Sequence, residues 1–451
     1  MDERILGNEK ISHLFIKYSI PAILSMVLSG SQIMIDGMFV GNYIGSNALA
    51  SVNIVLPFVE ISLAVSFIIT FGALSIIGRN LGAGKVQTAQ NTFKTATYII
   101  VIFAIVYGLA GIFNAESIGR ILGADASLLE GVSMYLRTIS YFLVFYPLMI
   151  ITGFADRIIG KPQLYLYGTL TTLSVNISLD YILIKEFGLG LKGAAIATGI
   201  SYLMGLLVTI RPMLNKKHTI NVFAGTFDKS TISPMLYNGA SEGIGAGAAA
   251  LAVYLFNLEF MSRVGPSGVA AFTMISYVVR LGMHIIFGIA DGISPIVSYN
   301  YGHEKYNRVK EVMRHGLASG AVIGGMVFIV LIFGGESLAN MFGKGDTSVV
   351  QLASKGSVIY AFAFLVNSFN VIYSIYFTAL GNAKASALIA FSRGFIWIVV
   401  GIKVWPALFG MTGVWMTVPV AELLTLLLVM YLARKNPLHE HENEKVAYSY
   451  S

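Results

Sequence analysis

Tyr98-Ile99-Ile100-Val101-Ile102-Phe103-Ala104-Ile105-Val106-Tyr107-Gly108-Leu109-Ala110-Gly111-Ile112 contains no charge and no alternation of apolar with polar residues. A strand of a closed membrane barrel alternates lipid-facing and lumen-facing side chains over about ten residues. This run does not alternate, and neither does 321–333. In hydrocarbon, backbone groups must then find their partners within a helix. Comparable runs recur from Leu14 to Leu432. At roughly 20 residues per span, about twelve helices with short loops fit the chain. The predicted fold is an all-α polytopic membrane protein.

Composition agrees. The 451 residues are 56% hydrophobic and only 12% charged, whereas soluble domains carry about 25% charged residues. Cysteine is absent, which leaves no disulfide framework, thiol chemistry or Cys-ligated metal. The polar start, Met1-Asp2-Glu3-Arg4, precedes an apolar run without a small-residue cleavage site, so no removed signal peptide is expected. The net charge of +7 is spread among loops rather than gathered in a patch. It reads as a cytoplasm-facing bias and not as a nucleic-acid surface. Alternate loops carry 20 and 8 of the lysines and arginines, which predicts cytoplasmic termini and an even number of spans.

The chain repeats itself at an interval of 220 positions. Gly45 and Ala50 return as Gly265 and Ala270, and Gly72, Asn80, Gly82 and Lys85 return as Gly292, Asn300, Gly302 and Lys305. Gly193 matches Gly413 at the same interval. Matching basic loops fall on the same side, so the repeat is parallel, with six helices in each half about an axis along the membrane normal. The expected organisation is a first lobe over 1–214, an inter-lobe loop over 215–231, a second lobe over 232–434 and a tail over 435–451. The tail's His439-Glu440-His441-Glu442 is read as a disordered end, not a metal site.

Two aspartates interrupt the first lobe's spans. Asp36 lies in Gln32-Ile33-Met34-Ile35-Asp36-Gly37, and Asp180 ends Asn176-Ile177-Ser178-Leu179-Asp180. An ionised carboxylate at a helix centre costs about 2.5–3.5 kcal/mol even on lenient insertion scales. A chain bearing two of them in one lobe is expected to use them for reversible cation binding. Asn176 shares a face with Asp180 through i, i+4 spacing, and its amide oxygen can join a site for H⁺ or Na⁺. The repeat does not preserve the pair, because 220 positions on stand Phe256 and Val400.

Further candidates lie in the second lobe. Glu242 begins its first span and is read either as a substrate-cation contact or as a solvated helix-start carboxylate. Arg280, His284 and Asp291 share one face of the eighth span, as a charge ladder or a wet cleft wall. Arg393 and Glu422, in the last two spans, are expected to neutralise each other. Prolines 21, 57, 147, 295 and 419 permit kinks.

Enzymatic signatures fail. Gly78-Arg79-Asn80-Leu81-Gly82-Ala83-Gly84-Lys85-Val86 has a misplaced glycine and lacks the Ser/Thr of a phosphate loop, so ATP is not expected to drive the protein. His-Glu-x-x-His and Gly-x-Ser-x-Gly are absent, and no filter sequence suggests a channel. No enzyme activity and no cofactor are expected.

Eight segments in order, however, resemble the multidrug and toxic compound extrusion (MATE) family. They are Asp36-Gly37-Met38-Phe39-Val40-Gly41, Gly160-Lys161-Pro162, Asn176-x3-Asp180 and Gly190-Leu191-Lys192-Gly193-Ala194-Ala195 in the first half. Gly292-Ile293-Ser294-Pro295, Tyr299-Asn300-Tyr301-Gly302, Gly381-Asn382-Ala383-Lys384 and Gly410-Met411-Thr412-Gly413-Val414-Trp415 complete the set. The resemblance, to the bacterial branch, covers almost the whole membrane portion. It implies a V-shaped pair of six-helix bundles in the bacterial cytoplasmic (inner) membrane, acting as a monomer. It implies export of cationic amphipathic compounds in exchange for H⁺ or Na⁺, with Asp36, Asn176 and Asp180 as the cation site. Where some members carry a carboxylate in the tenth helix, this chain reads Asn367-Ser368-Phe369-Asn370. The rival reading is a lipid-linked precursor flippase of the same two-lobe plan, which favours a strongly cationic cleft. Few intramembrane basic residues, Arg280 and Arg393, argue against it.

Overall fold

The computed structural model describes residues 4–342 and 347–438, which are helical apart from turns and contain no strand. The acidic tail from His439 lies outside the described residues. In chain order the first bundle holds α1 (Ile11–Tyr43), α2 (Ser46–Gly82) and α3 (Val86–Phe113). Next comes α4, bent by 43° between Leu129–Ser140 and Phe145–Ile158. α5 runs Gln163–Asp180 and closes in a π turn, Tyr181–Glu186, before α6 (Gly190–Thr209). The second bundle holds α7 (Ile232–Arg263), α8 (Pro266–Gly302) and α9 (Tyr306–Phe342). α10 joins Thr347–Ala361 to Phe364–Leu380 across a bend of 53°. α11 opens with Ala383–Phe391 and a π turn, Ser392–Ile396, and then runs over 397–409. α12 follows over 411–435, because the helix Trp397–Lys435 is broken only at Gly410 (φ 57°, ψ −135°). These twelve helices form two six-helix lobes. A single residue, Gly410, forms the joint between α11 and α12.

The repeat is visible in backbone detail. Asn80 Nδ2 donates to the Ile76 carbonyl and Asn300 Nδ2 to that of Ile296, both at 2.8 Å. Each helix end then returns a bond to its asparagine carbonyl, from Lys85 N at 2.8 Å and from Lys305 N at 2.9 Å. The turn needs a left-handed residue, supplied by Gly84 (φ 74°) in the first half and by Glu304 (φ 60°) in the second.

Both described ends of the chain lie on one face. Asn300 Nδ2 donates to the Leu6 carbonyl at 2.9 Å, Arg79 Nη1 to that of Leu380 at 3.0 Å, and Asn382 Nδ2 to Asn436 Oδ1 at 3.1 Å. We call this the terminal face. Near it the two lobes share a single apolar core that runs from Leu14, Ile77 and Ile150 to Ile289, Ile293 and Ile372. Toward the opposite face the apolar contacts divide. Val55, Phe58 and Leu136 cluster within the first lobe, whereas Phe256, Phe260, Phe272 and Trp415 cluster within the second. The molecule is therefore closed at the terminal face and parted at the other.

Backbone-to-backbone contact makes this closure. A Cβ at Gly72 of α2 would stand 1.9 Å from the Met235 carbonyl oxygen, and one at Gly239 of α7 would stand 1.8 Å from that of Ile68. Small residues let membrane helices approach this closely. Gly72→Val should wedge the lobes apart at a cost of about 1–3 kcal/mol. Spin labels at Gln87→Cys and Asn307→Cys, exposed on opposite lobes of a chain free of cysteine, read the separation. The distance should lengthen in Gly72→Val and stay unchanged in Gly245→Ala, where a Cβ meets open space.

The segment over 215–231 is not a free tether. Thr226 N donates to Asn91 Oδ1 and Asp228 N to Thr95 Oγ1, each at 2.9 Å, while Lys94 Nζ donates to the Val222 carbonyl. These bonds strap it along α3. Asp228 Oδ1 accepts from the amide and hydroxyl of Ser230, which holds its carboxyl below the usual range.

Candidate functional site

α1 and α5 pack side by side and bring Asp36 within hydrogen-bonding reach of Asp180 and Asn176. Asn176 and Asp180 are 0% and 1% exposed, and Asp36 is half-buried. Their i, i+4 spacing turns both toward α1. Asp180 is also the last α-helical residue before the π turn, a distortion that recurs at functional sites. Within this group no well-formed bond closes on Asp36 Oδ1, Asp180 Oδ1 or either amide atom of Asn176. Ionised carboxylates only accept, so the two acids lack a donor between themselves, and the Asn176 amide is the donor beside them. A shared proton supplies one between the acids, and an all-oxygen donor set equally suits a small hard cation.

Two tyrosines that the sequence reading missed lie close to these charges. Tyr135 of α4 is within electrostatic reach of Asp36 and Asp180, and Tyr202 of α6 within reach of Asp36. The Tyr202 ring stacks on Tyr146 at 4.3 Å between centroids. The repeat register was the available signal, because 220 positions beyond Tyr202 stands Glu422.

Glu422 is the centre of a dense second-lobe network. Its Oε1 accepts from Arg393 Nη2 at 2.8 Å and from Asn367 Nδ2 at 3.0 Å. Asn370 Nδ2 donates to Glu422 Oε2 at 2.7 Å and to its carbonyl at 2.8 Å. A carboxylate that accepts from three side chains is held firmly in place. It contrasts with the donor-poor pair of the first lobe.

The residues of the eighth span separate. Arg280 is exposed and faces Glu60 of α2. His284 Nδ1 donates to the Arg280 carbonyl at 2.7 Å, and its ring packs beside Gly30 of α1. Asp291 is buried at 2% exposure, with Oδ2 3.9 Å from Nη1 of Arg157 in α4. Arg157, itself 1% exposed, was counted with the loop bases in the sequence reading; it lies under the rings of Phe154 and Tyr165 at 4.2 and 4.9 Å. This buried ion pair bridges the lobes where they close. Half-buried Glu242 of α7 lies within electrostatic reach of Asp291 and Arg393.

The family model described as MatE matches this chain twice, at residues 21–182 and 247–402. The chain belongs to the MatE family. This MATE transporter is 26% identical over 440 residues to Multidrug export protein MepA of Staphylococcus aureus (strain bovine RF122 / ET3-1), covering 96% of this chain and 97% of that protein. Multidrug export protein MepA of Staphylococcus saprophyticus is 26% identical over 444 residues, with the same coverage. The fold matches a crystal structure of MATE in the bent conformation with a TM-score of 0.89 at 19% identity, over 96% of this chain and 97% of that one. It also matches the outward-facing conformation of a multidrug resistance MATE family transporter of the MOP superfamily, with a TM-score of 0.89 at 18% identity over the same shares.

Proposed function

We propose that this transporter exports cationic amphipathic compounds by antiport against H⁺ or Na⁺, with Asp36, Asn176 and Asp180 as the coupling site. The terminal face is then cytoplasmic, in keeping with its basic loops, and the conformation described is outward-facing. From outside, the coupling ion reaches the acid pair and supplies the donor or cation that the two acids lack between themselves. Its release accompanies opening of the cytoplasmic side, where an organic cation enters and meets Glu242. The relatives named for multidrug export support the export of small molecules.

The observation that carries the reading is the contrast in acids. In the first lobe two carboxyls meet with no hydrogen bond closing on Asp36 Oδ1 or Asp180 Oδ1, whereas Glu422 accepts from three side chains. Flippase chemistry is disfavoured, because the membrane-embedded arginines Arg157, Arg280 and Arg393 each face an acid. They leave no unpaired cationic wall to hold a pyrophosphate. The test is efflux of a fluorescent organic cation from proteoliposomes under a separately imposed pH or Na⁺ gradient. One gradient should drive efflux and the other should not. No response to either would refute antiport.

A further inference from the structure

Two cavities of about 610 and 520 Å³ open at the terminal face beside the first lobe and share His218. The first lies between the start of α5 and the end of α6, lined among others by Lys161, Tyr167, Arg211 and His218. Lys161 Nζ donates to His218 Nε2 at 2.9 Å, which leaves two of the three ammonium protons for a ligand. Arg211 is exposed and offers its guanidinium to the cavity. Lys216 and Lys217 line the adjoining cavity. The nearby acid is Asp156, buried behind Lys161. It lies within electrostatic reach of Arg157 as well as Lys161, and the mouth itself is lined by Lys161, Arg211, Lys216 and Lys217.

Below this mouth the surface turns apolar. Tyr167 and Leu170 of α5 are 53% and 40% exposed, and Met204 and Leu207 of α6 are 38% and 46% exposed. They form a stripe along two paired helices that runs from the pocket toward the middle of the membrane. Arg211 follows Leu207 by one helical turn, where a long cationic side chain meets headgroups. A basic pocket above an apolar stripe suits an amphiphile with a phosphate head. Such pockets between helices on the cytoplasmic side hold anionic headgroups.

We propose that the Lys161–Arg211 pocket binds the phosphate of an anionic phospholipid whose chains lie along α5 and α6. The site is separate from the acid pair and does not depend on which ion couples transport. Its test is the thermal unfolding of the purified full-length transporter in a neutral detergent, titrated with phosphatidylglycerol. Phosphatidylglycerol should raise Tm saturably, whereas phosphatidylcholine and inorganic phosphate should not. Arg211→Gln, at an exposed position, should keep the Tm found without lipid and weaken phosphatidylglycerol binding about fivefold. Lys161→Gln/Arg211→Gln should abolish the phosphatidylglycerol response. An undiminished response in Arg211→Gln would overturn the assignment. Equal stabilisation by phosphatidylcholine would exclude charge recognition, and equal stabilisation by inorganic phosphate would make this a free-anion site.

Discussion

Asp180→Asn should reduce gradient-driven efflux to the passive rate while leaving membrane insertion and folding intact. The substitution preserves size and removes one of the two acids that meet between α1 and α5. An asparagine there removes one ionisable carboxyl, so the two acids no longer oppose each other and the site has less charge for a proton or cation to neutralise. Coupling requires the ion to bind the two conformations with unequal affinity. Moving a two-state equilibrium from 1:99 to 99:1 takes about 5.5 kcal/mol of differential binding. A site with one acid removed has little of this to give. Asp36→Asn should behave alike, because the two acids share one site. Tyr202→Phe should slow transport without uncoupling it, since it changes the surroundings and not the acids. Dye efflux in proteoliposomes under an imposed gradient reads all three, and undiminished transport by Asp180→Asn would remove the site assignment.

The second large effect concerns Arg157 and Asp291. Their charges meet across the lobe interface with almost no access to water. Removing one partner of a buried pair costs about 3–5 kcal/mol, and the lower end applies here, because the two groups stand 3.9 Å apart without a hydrogen bond and Asp156 also lies within electrostatic reach of Arg157. That penalty applies while the terminal face is closed and is relieved when the face opens. Asp291→Asn should shift the population toward opening at that face by on the order of a hundredfold or more. The Gln87→Cys and Asn307→Cys label pair should then report longer distances, and efflux should fall. Arg157→Met/Asp291→Met should restore the short distance, because apolar replacement of a buried pair is often neutral or stabilising. A short distance in Asp291→Asn, or a long one in the double variant, would show that the charges do not hold the face shut.

Much of this molecule is legible in its sequence, for physical reasons that differ by element. Continuous apolar runs such as 98–112 leave a helix as the only arrangement that satisfies the backbone. The register of Asn80 with Asn300 survives because each asparagine performs the same capping task at a helix end. Asp36 and Asp180 stand out because charge is rare in hydrocarbon. Arg157 did not stand out. It precedes Gly160-Lys161-Pro162 and looks like a loop base, and only tertiary packing, with the rings of Phe154 and Tyr165 over its guanidinium and Asp291 beside it, buries it. Periodicity placed Arg280, His284 and Asp291 on one helix face but carried no information about which neighbour each would meet. Tyr135 and Tyr202 are two of 23 tyrosines, and nothing local marks them.

The one-residue joint at Gly410 has a consequence for how the second lobe moves. A Cβ at Gly413 would stand 2.0 Å from the Trp405 carbonyl oxygen, so the two strokes of this hairpin touch as they turn. Helices tied this tightly cannot part at their shared tip. α11 and α12 must swing as one rigid blade, and a peptide tag spliced into that tip should jam it.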